Sequence, residues 1–101
     1  MRRFNTNSSG GEFSAQTIVS VWAKATPVAG YDPAVYRKDR CGAWIKSSDY
    51  GTTGKYGWEI DHIVPVSRSG SDAMFNLQPL HWENNRRKSD NYPHWERAVT
   101  A

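Results

Sequence analysis

Cysteine is almost absent from this sequence, since Cys41 is the only one among 101 residues. A single thiol excludes an intramolecular disulfide and a zinc site built from cysteines alone. Long apolar runs are also missing, and no segment approaches the ~20 apolar residues that span a bilayer. The first residues are basic, but no apolar stretch follows them, which argues against a secretory signal. We therefore expect a soluble, cytoplasmic protein with no membrane partner.

An excess of charge of one sign is missing as well. Thirteen Lys and Arg against ten Asp and Glu give a net charge of +3, which permits a polyanionic partner without requiring one. The chain is instead rich in aromatic residues, with five tryptophans and five tyrosines. Such side chains either build a small core or stack on nucleic-acid bases, and composition does not separate the two.

The organisation of the first half follows from Gly, Ser and capping residues. We expect residues 1–13, which are polar and rich in Gly and Ser, to form a flexible arm, and residues 14–101 to form a single domain. Ser14 is placed to cap a helix from residue 15 to about residue 24. Asp32-Pro33 then predicts a short basic turn or helix over residues 33–40.

Short strands and one further helix are predicted from residue 43 onward. Residues 43–45 are a strand candidate, and residues 58–64 alternate in polarity and are rich in β-branched side chains, which predicts a second strand. A loop over residues 66–75 separates this strand from a second short strand or turn at residues 76–80. Residues 81 to about 90 favour a helix.

Asp61 and His62 are adjacent near the end of the predicted strand. A carboxylate is a ligand for a hard cation, and an imidazole titrates near neutrality. These groups could support metal-assisted attack of water on a phosphodiester. The dipeptide alone is weak support, because a buried core histidine and an Asp paired with an Arg are equally ordinary.

Three sequence blocks in order make the interpretation more specific. They are residues 59–67 (EIDHIVPVS), 76–80 (NLQPL) and 84–90 (NNRRKSD), with Asn76 following His62 by 14 positions and Asn85 following Asn76 by nine. Together they resemble the HNH endonuclease family over residues 58–91. The last block is especially similar to the HNH domain of CRISPR effector nucleases.

The resemblance implies an α+β fold, a small ββα-metal finger with a two-stranded antiparallel hairpin plus helix, to which N-terminal helices are added. His62 matches the general base of the family. Asn76 matches a residue that pins the loop and, through a backbone or side-chain oxygen, holds the histidine ring. Asp61 and Asn85 match ligands of one divalent cation. Oxygen ligands favour Mg²⁺ or Mn²⁺ over Zn²⁺.

The sequence departs from common family patterns at two places. Many members hold a structural zinc with two CxxC pairs, and these positions fall here on Cys41 with Trp44 and on His81 with Asn84, so we expect no structural zinc. The loop usually carries two glycines where this chain has Ser69-Gly70. A positive φ at Ser69 would cost about 1 kcal/mol.

Two further residues are candidates for supporting roles at the site. Glu59 lies two positions before Asp61 on the same strand face, so it either approaches the cation through water or pairs with Arg37 or Arg40. His81 occupies a family zinc position without its partners, and a surface or supporting role is favoured.

Basic residues form two clusters that could contact phosphates, namely Arg37, Lys38 and Arg40, and Arg86, Arg87 and Lys88. A solvated surface is the ordinary explanation of such clusters, but a nearby phosphodiester-cleaving centre favours phosphate contact. The predicted partner is duplex or structured DNA, bound by a monomer or a homodimer. The sequence thus predicts a metal-dependent HNH-type DNA endonuclease. The alternative is a nucleic-acid-binding module that keeps the fold without cleaving.

Overall fold

The computed structural model describes residues 3–100, which form two antiparallel hairpins and two helices. In chain order these elements are α1 (Ala15–Trp22), β1 (Tyr36–Lys38), β2 (Trp44–Lys46), β3 (Trp58–His62), β4 (Leu77–His81) and α2 (Trp82–Lys88). Strand β1 pairs with β2, and β3 pairs with β4. The fold is therefore α+β, and within residues 3–100 no helix has the length and apolarity needed to cross a membrane.

Helix α1 confirms the capping prediction. The Ser14 hydroxyl accepts a hydrogen bond from the backbone N–H of Thr17 at 3.1 Å, which satisfies one free donor of the first turn. Val21 and Trp22 lie on the buried face of this helix. Trp22 packs against Trp58 of β3 with 5.4 Å between ring centroids, so two of the tryptophans belong to the core.

Of the turn or helix predicted over residues 33–40, the turn is observed and is followed by strand β1, so α1 is the only N-terminal α-helix among the described residues. Asp32 does behave as a cap, since its side chain accepts from the N–H of Ala34 at 2.9 Å. The chain then leaves the turn, because Tyr36–Lys38 pairs antiparallel with β2. This pairing helps bury Ile45 completely. Burial of the hairpin thus outweighs the local helical signal.

The second hairpin confirms the strand, loop, strand and helix order of the second half. Its register runs from Trp58 opposite His81 to His62 opposite Leu77. Eight buried residues from the N-terminal segment, α1, the turn after α1 and both hairpins form the core: Phe13, Val21, Trp22, Ala25, Ile45, Trp58, Ile60 and Leu77. Helix α2 begins directly after β4 and packs on the same hairpin.

Three different segments occupy the outer edge of β3, the one that faces away from β4. The carbonyl of Trp58 accepts from Gly51 at 2.9 Å, the N–H of Ile60 donates to the Asn5 side chain at 2.8 Å, and the carbonyl of His62 accepts from Lys88 at 3.0 Å. The N-terminal segment therefore contacts the domain through Asn5. Flexibility of residues 1–13 stays a prediction, and residues 1 and 2 lie outside the described residues.

A buried carboxylate lies among the positions where family members carry two CxxC pairs. Asp39 is 2% exposed, and its Oδ1 accepts from the N–H groups of Cys41 and Ala43, both at 2.9 Å. Its Oδ2 accepts from the N–H of His81 at 2.9 Å and from the side chain of Asn84 at 3.0 Å. Asp39 therefore joins the turn of the first hairpin to the junction of β4 and α2. Asp39 is not among the candidate residues predicted from the sequence.

Candidate active site

Asp61, His62 and Asn85 line one cleft of about 250 Å³. The end of β3 supplies the first two residues, and α2 supplies the third. Arg3, Phe4, Asn5 and Thr6 of the N-terminal segment also line this cleft. Successive residues of a strand point to opposite faces, yet Asp61 and His62 reach the same cleft because His62 is the last residue of β3.

The ring of His62 is held by Asp72, which lies in the loop between β3 and β4. The distance from Nε2 of His62 to Oδ1 of Asp72 is 2.7 Å. An ionised carboxylate only accepts hydrogen bonds, so Nε2 carries the proton and Nδ1 is left as the acceptor. The Phe13 ring packs beside the imidazole with 5.9 Å between centroids. This is the tautomer that a general base acting through Nδ1 requires.

Asp72 is in turn held by Ser8 of the N-terminal segment. The Ser8 hydroxyl donates to Oδ2 at 2.7 Å, and its N–H donates to Oδ1 at 3.0 Å. Burial acts to raise the pKa of Asp72, but the hydrogen bonds from His62 and Ser8 outweigh it and hold that pKa below its ordinary value. Sequence reasoning missed both residues. The only available signal was an acidic residue ten positions after His62 in a Ser- and Gly-rich loop.

Asn76 contacts the loop and not the His62 ring. Its side-chain oxygen accepts from the N–H of Val64 at 2.8 Å, and its amide donates to the carbonyls of Val64 and Ser71 at 3.1 and 2.8 Å. Its backbone carbonyl accepts from the N–H of Ile63 at 2.8 Å. These bonds join the two ends of the β3–β4 loop. The hydrogen-bond partner of the ring is Asp72, in the place where we expected an oxygen of Asn76.

The β3–β4 loop requires its glycine and tolerates its serine. Ser69 has a φ of +69°, the left-handed conformation considered for it from the sequence. At Gly70, a Cβ atom would lie 1.7 Å from the carbonyl oxygen of Val64. Any side chain at position 70 would therefore force the loop that carries Asp72 to move.

Asp61 is buried between Lys88 and Gln78. The Nζ of Lys88 lies 3.3 Å from Oδ1 of Asp61, and the amide of Gln78 donates to Oδ2 at 2.9 Å. Burial raises the pKa of Asp61, although the Lys88 ammonium and the Gln78 hydrogen bond act in the opposite direction. Lys88 is 1% exposed. The prediction that Lys88 contacts DNA is therefore wrong for this structure, in which its ammonium binds Asp61 and the carbonyl of His62.

Asn85 is positioned by Glu59. The Asn85 amide donates to Oε1 of Glu59 at 2.9 Å, and the Oε2 of Glu59 pairs with Nη2 of Arg86 at 3.1 Å. Glu59 therefore pairs with Arg86, and not with Arg37 or Arg40. Because the amide nitrogen of Asn85 is used by Glu59, its side-chain oxygen is the atom available to the cleft.

The donor types around the cleft suit a hard divalent cation. The Asp61 carboxylate and the Asn85 amide oxygen are the kinds of ligand that Mg²⁺ and Mn²⁺ take. Within residues 3–100 no group of three or more His, Cys, Asp and Glu side chains could hold a metal ion. A cation held by Asp61 and Asn85 would have water or phosphate oxygens in its remaining coordination positions. Lys88 would be its neighbour at Asp61.

The remaining basic residues differ in how far their side chains are exposed and in the aromatic rings that they contact. The side chains of Arg86 and Arg87 are 43% and 56% exposed, and the Arg86 guanidinium lies 5.5 Å from the ring centroid of Phe4 at the cleft wall. Lys38 lies over Trp44 and Arg40 over Trp95, at 4.9 and 5.9 Å from the ring centroids.

Arg37 and His81 have structural contacts away from the cleft. The Arg37 guanidinium donates to the carbonyls of Pro33, Ala23 and Ala25 at 2.9, 3.2 and 3.0 Å, which ties the end of α1 to the following turn. His81 caps α2 by accepting from the N–H of Glu83 at 3.1 Å. It pairs with Trp58, at the end of the hairpin opposite His62.

Comparison with known families matches residues 42–94 to the model described as HNH endonuclease. This range covers more than half of the chain, from the first hairpin to beyond α2, and it includes every residue that lines the cleft from β3 and α2. No curated protein and no solved structure matches the chain.

Proposed function

Because the chain belongs to the HNH endonuclease family, we propose that it cleaves DNA by metal-dependent hydrolysis of phosphodiester bonds, with His62 as the general base. One observation carries this proposal. Asp61, His62 and Asn85 line a single cleft, and the His62 ring is bound through Nε2 to a carboxylate. That contact leaves Nδ1 as the proton acceptor that hydrolysis by water needs.

His62 accepts the proton of the attacking water at Nδ1. Asp72 is a positioning residue, since it fixes the ring angle and the tautomer and stabilises the imidazolium that forms. Ser8 holds the Asp72 carboxylate in place from the opposite side. Asn76 supports the arrangement indirectly, because it fixes the loop on which Asp72 lies.

Asp61 and Asn85 would hold the cation, with Mg²⁺ or Mn²⁺ matching their oxygen donors. When bound, the cation would neutralise charge that develops on the phosphate and on the leaving oxygen. Glu59 orients the Asn85 amide so that its oxygen is free for this role. Lys88 keeps the buried Asp61 carboxylate compensated by a positive charge.

The DNA backbone would contact the exposed cations beside the cleft. Arg86 and Arg87 are exposed on α2 next to Asn85, and Arg3 lines the same cleft. Phosphate contacts of this kind give affinity that falls with salt and little sequence preference. We expect duplex or structured DNA as the substrate.

The direct test is incubation of the purified protein with supercoiled plasmid in Mg²⁺, in Mn²⁺ and in EDTA. We expect metal-dependent conversion to open-circle or linear DNA, and loss of conversion in His62→Ala. The control is His94→Ala, which removes an exposed histidine near the C-terminus and should leave cleavage unchanged. Cleavage by His62→Ala at the wild-type rate would refute the assignment of the base. DNA binding without cleavage in any metal would favour the non-cleaving module.

Asp72→Ala tests the positioning role separately. Loss of a group that orients a functional histidine typically costs about 10- to 100-fold, so we expect kcat to fall by that factor with KM nearly unchanged. The control Asp49→Ala lies in the turn Ser47–Asp49, near the other end of β3, and should not change kcat. Long-range ¹H–¹⁵N NMR at pH 8 should show the Nε2-protonated tautomer of His62 in the wild type and a mixture in Asp72→Ala. An unchanged tautomer in the variant would refute the role.

A further inference from the structure

The outer face of the first hairpin carries aromatic and lysine side chains in alternation. Residues two apart on a strand share a face, so Tyr36 and Lys38 of β1 lie on one face with Trp44 and Lys46 of β2. Across the hairpin, Tyr36 pairs with Lys46, and Lys38 pairs with Trp44. The opposite face carries Ile45 in the core. Each aromatic ring therefore stands beside an ammonium group.

Loop residues extend this surface on both sides. Tyr31 packs against Trp44 with 4.7 Å between ring centroids, and Tyr56 packs against Tyr36 at 5.7 Å. The Nζ of Lys55 lies 5.5 Å from the Tyr56 ring centroid. We call this surface the aromatic–lysine face, and it consists of Tyr31, Tyr36, Lys38, Trp44, Lys46, Lys55 and Tyr56.

The positive charge of this face is not compensated by carboxylates. The ion pairs found within residues 3–100 join other side chains, and none of them includes Lys38, Lys46 or Lys55. Tyr31 is 52% exposed, so a flat ring is open to a partner. The exposed ring of Tyr31, beside partly buried rings and unpaired lysines, complements a ligand that has both flat bases and phosphates. An acidic peptide would use the lysines but not the open rings.

The aromatic–lysine face lies at the opposite end of β3 from the catalytic histidine. The N–H of Lys46 donates to the carbonyl of Tyr56 at 3.0 Å, and Tyr56 precedes the first residue of β3 by two positions. His62 is the last residue of β3, four residues further on than Trp58, which corresponds to about 13 Å along a strand. A nucleic acid could therefore contact both the face and the cleft.

We propose that the aromatic–lysine face binds unpaired nucleotides of the DNA substrate, which makes a structured substrate with a single-stranded segment the preferred one. A base stacks on the exposed ring of Tyr31, which Trp44 supports from beside it, and phosphates pair with Lys38 and Lys46. The identification of the ligand as part of the substrate rests on the proposed endonuclease function. The binding itself does not depend on cleavage.

Binding of a fluorescein-labelled oligo(dT) in EDTA tests the face without cleavage. Stacking of one base is worth enough that Tyr31→Ala should weaken binding about tenfold, whereas Tyr31→Phe, which keeps the ring, should bind like the wild type. Lys38→Gln with Lys46→Gln should lower the slope of log K against log salt by about 1.4, since each phosphate contact with a single strand contributes about 0.7. Lys38→Gln or Lys46→Gln alone should lower the slope by about 0.7, and the charge-matched control for these single variants is Arg97→Gln, an exposed cation of the C-terminal segment.

Photo-crosslinking identifies the contacts directly. An oligonucleotide containing 5-iododeoxyuridine should crosslink to Tyr31 or Trp44, as located by mass spectrometry. Three results would overturn the proposal: binding by Tyr31→Ala equal to that by Tyr31→Phe, crosslinks confined to other residues, or competition by poly-glutamate as effective as that by oligo(dT). If the plasmid is not cleaved but the variants bind weakly, the face is established and the endonuclease function is refuted. If the plasmid is cleaved and all variants bind alike, the endonuclease function is supported and the role of the aromatic–lysine face is refuted.

Discussion

Exchange of Asp39 for asparagine replaces one of two buried carboxylate oxygens, each of which accepts two hydrogen bonds. The side chain keeps its size, but the new NH₂ group faces two N–H donors that have lost their acceptor. A buried donor without a partner costs about 1–3 kcal/mol, so the free energy of unfolding should fall by about 2–6 kcal/mol. A domain of this size has only about 5–15 kcal/mol in total.

Thermal unfolding followed by circular dichroism at pH 7 measures this effect. A loss of 1 kcal/mol lowers Tm by about 4–8 °C in a domain of up to 100 residues, so Asp39→Asn should melt at least about 8 °C below the wild type. The matched control is Asp32→Asn, since Asp32 is exposed and its side chain accepts from one N–H group, that of Ala34. Equal melting temperatures for the two variants would refute the conclusion that Asp39 joins the first hairpin to α2.

Three further predictions follow from the buried and partly buried titratable groups. Lys88→Met leaves the buried Asp61 carboxylate without its cation, so urea unfolding should show a free energy of unfolding lower by about 3–5 kcal/mol. The control Arg87→Met, at a side chain that is 56% exposed, should change this free energy little. Equal losses in the two variants would contradict the prediction. The pKa of Asp72 is held below its ordinary value in the folded state. The ionised Asp72 side chain therefore stabilises the fold fully above its unfolded pKa of about 3.9, and this stabilisation is lost as pH falls through its folded pKa. The stability difference between the wild type and Asp72→Asn should therefore narrow as pH falls below about pH 4, and a difference that does not change across this acidic range would rule out the linkage. Burial raises the pKa of the Cys41 thiol, which lowers the fraction of reactive thiolate. Iodoacetamide at pH 8 should therefore alkylate the native protein at least about tenfold more slowly than the urea-unfolded chain. Similar rates would show that the thiol is accessible.

Local sequence patterns were sufficient for the elements that local interactions stabilise. Ser14 predicts the start of α1 because its hydroxyl accepts a hydrogen bond within the first turn. The alternation over residues 58–64 predicts β3 because Trp58 and Ile60, which share one face of the strand, lie in the core. In the first hairpin, the strand predicted at residues 43–45 corresponds to β2 (Trp44–Lys46), but β1 could not be predicted, since Asp32-Pro33 begins a turn that a helix would also use. Its strands form because pairing across the hairpin and burial of Ile45 are tertiary effects.

In the candidate site, too, some residues could be predicted from the sequence, whereas the residues that hold them in place could not. Asp61, His62 and Asn85 were identified from the resemblance of three sequence blocks to the HNH endonuclease family, and the structure brings them to one cleft. The residues that hold them come from distant positions, as Ser8 and Asp72 do for His62. Nothing in local sequence distinguishes Asp72 from other loop carboxylates.

Lys88 shows that a run of consecutive basic residues does not indicate which of them are exposed. Three consecutive cations on a helix span an arc of about 200°, so a residue at one end of the run can face the hairpin on which the helix packs. The structure turns Arg86 and Arg87 outward and Lys88 towards Asp61. Which of the three is buried depends on where α2 packs on the second hairpin, and sequence spacing does not contain that information.

The outer edge of β3 has a consequence for association between copies of the chain. A two-stranded hairpin normally offers an open edge on which a strand of another molecule can pair. On β3 that edge is blocked, and the N–H of Ile60 is taken by the side chain of Asn5 rather than by another strand. Exchange of Asn5 for alanine would expose this donor in the middle of the edge, while Gly51 and Lys88 would still occupy the carbonyls of Trp58 and His62. Asn5 therefore protects the N–H group of Ile60, through which another chain could begin to pair with β3.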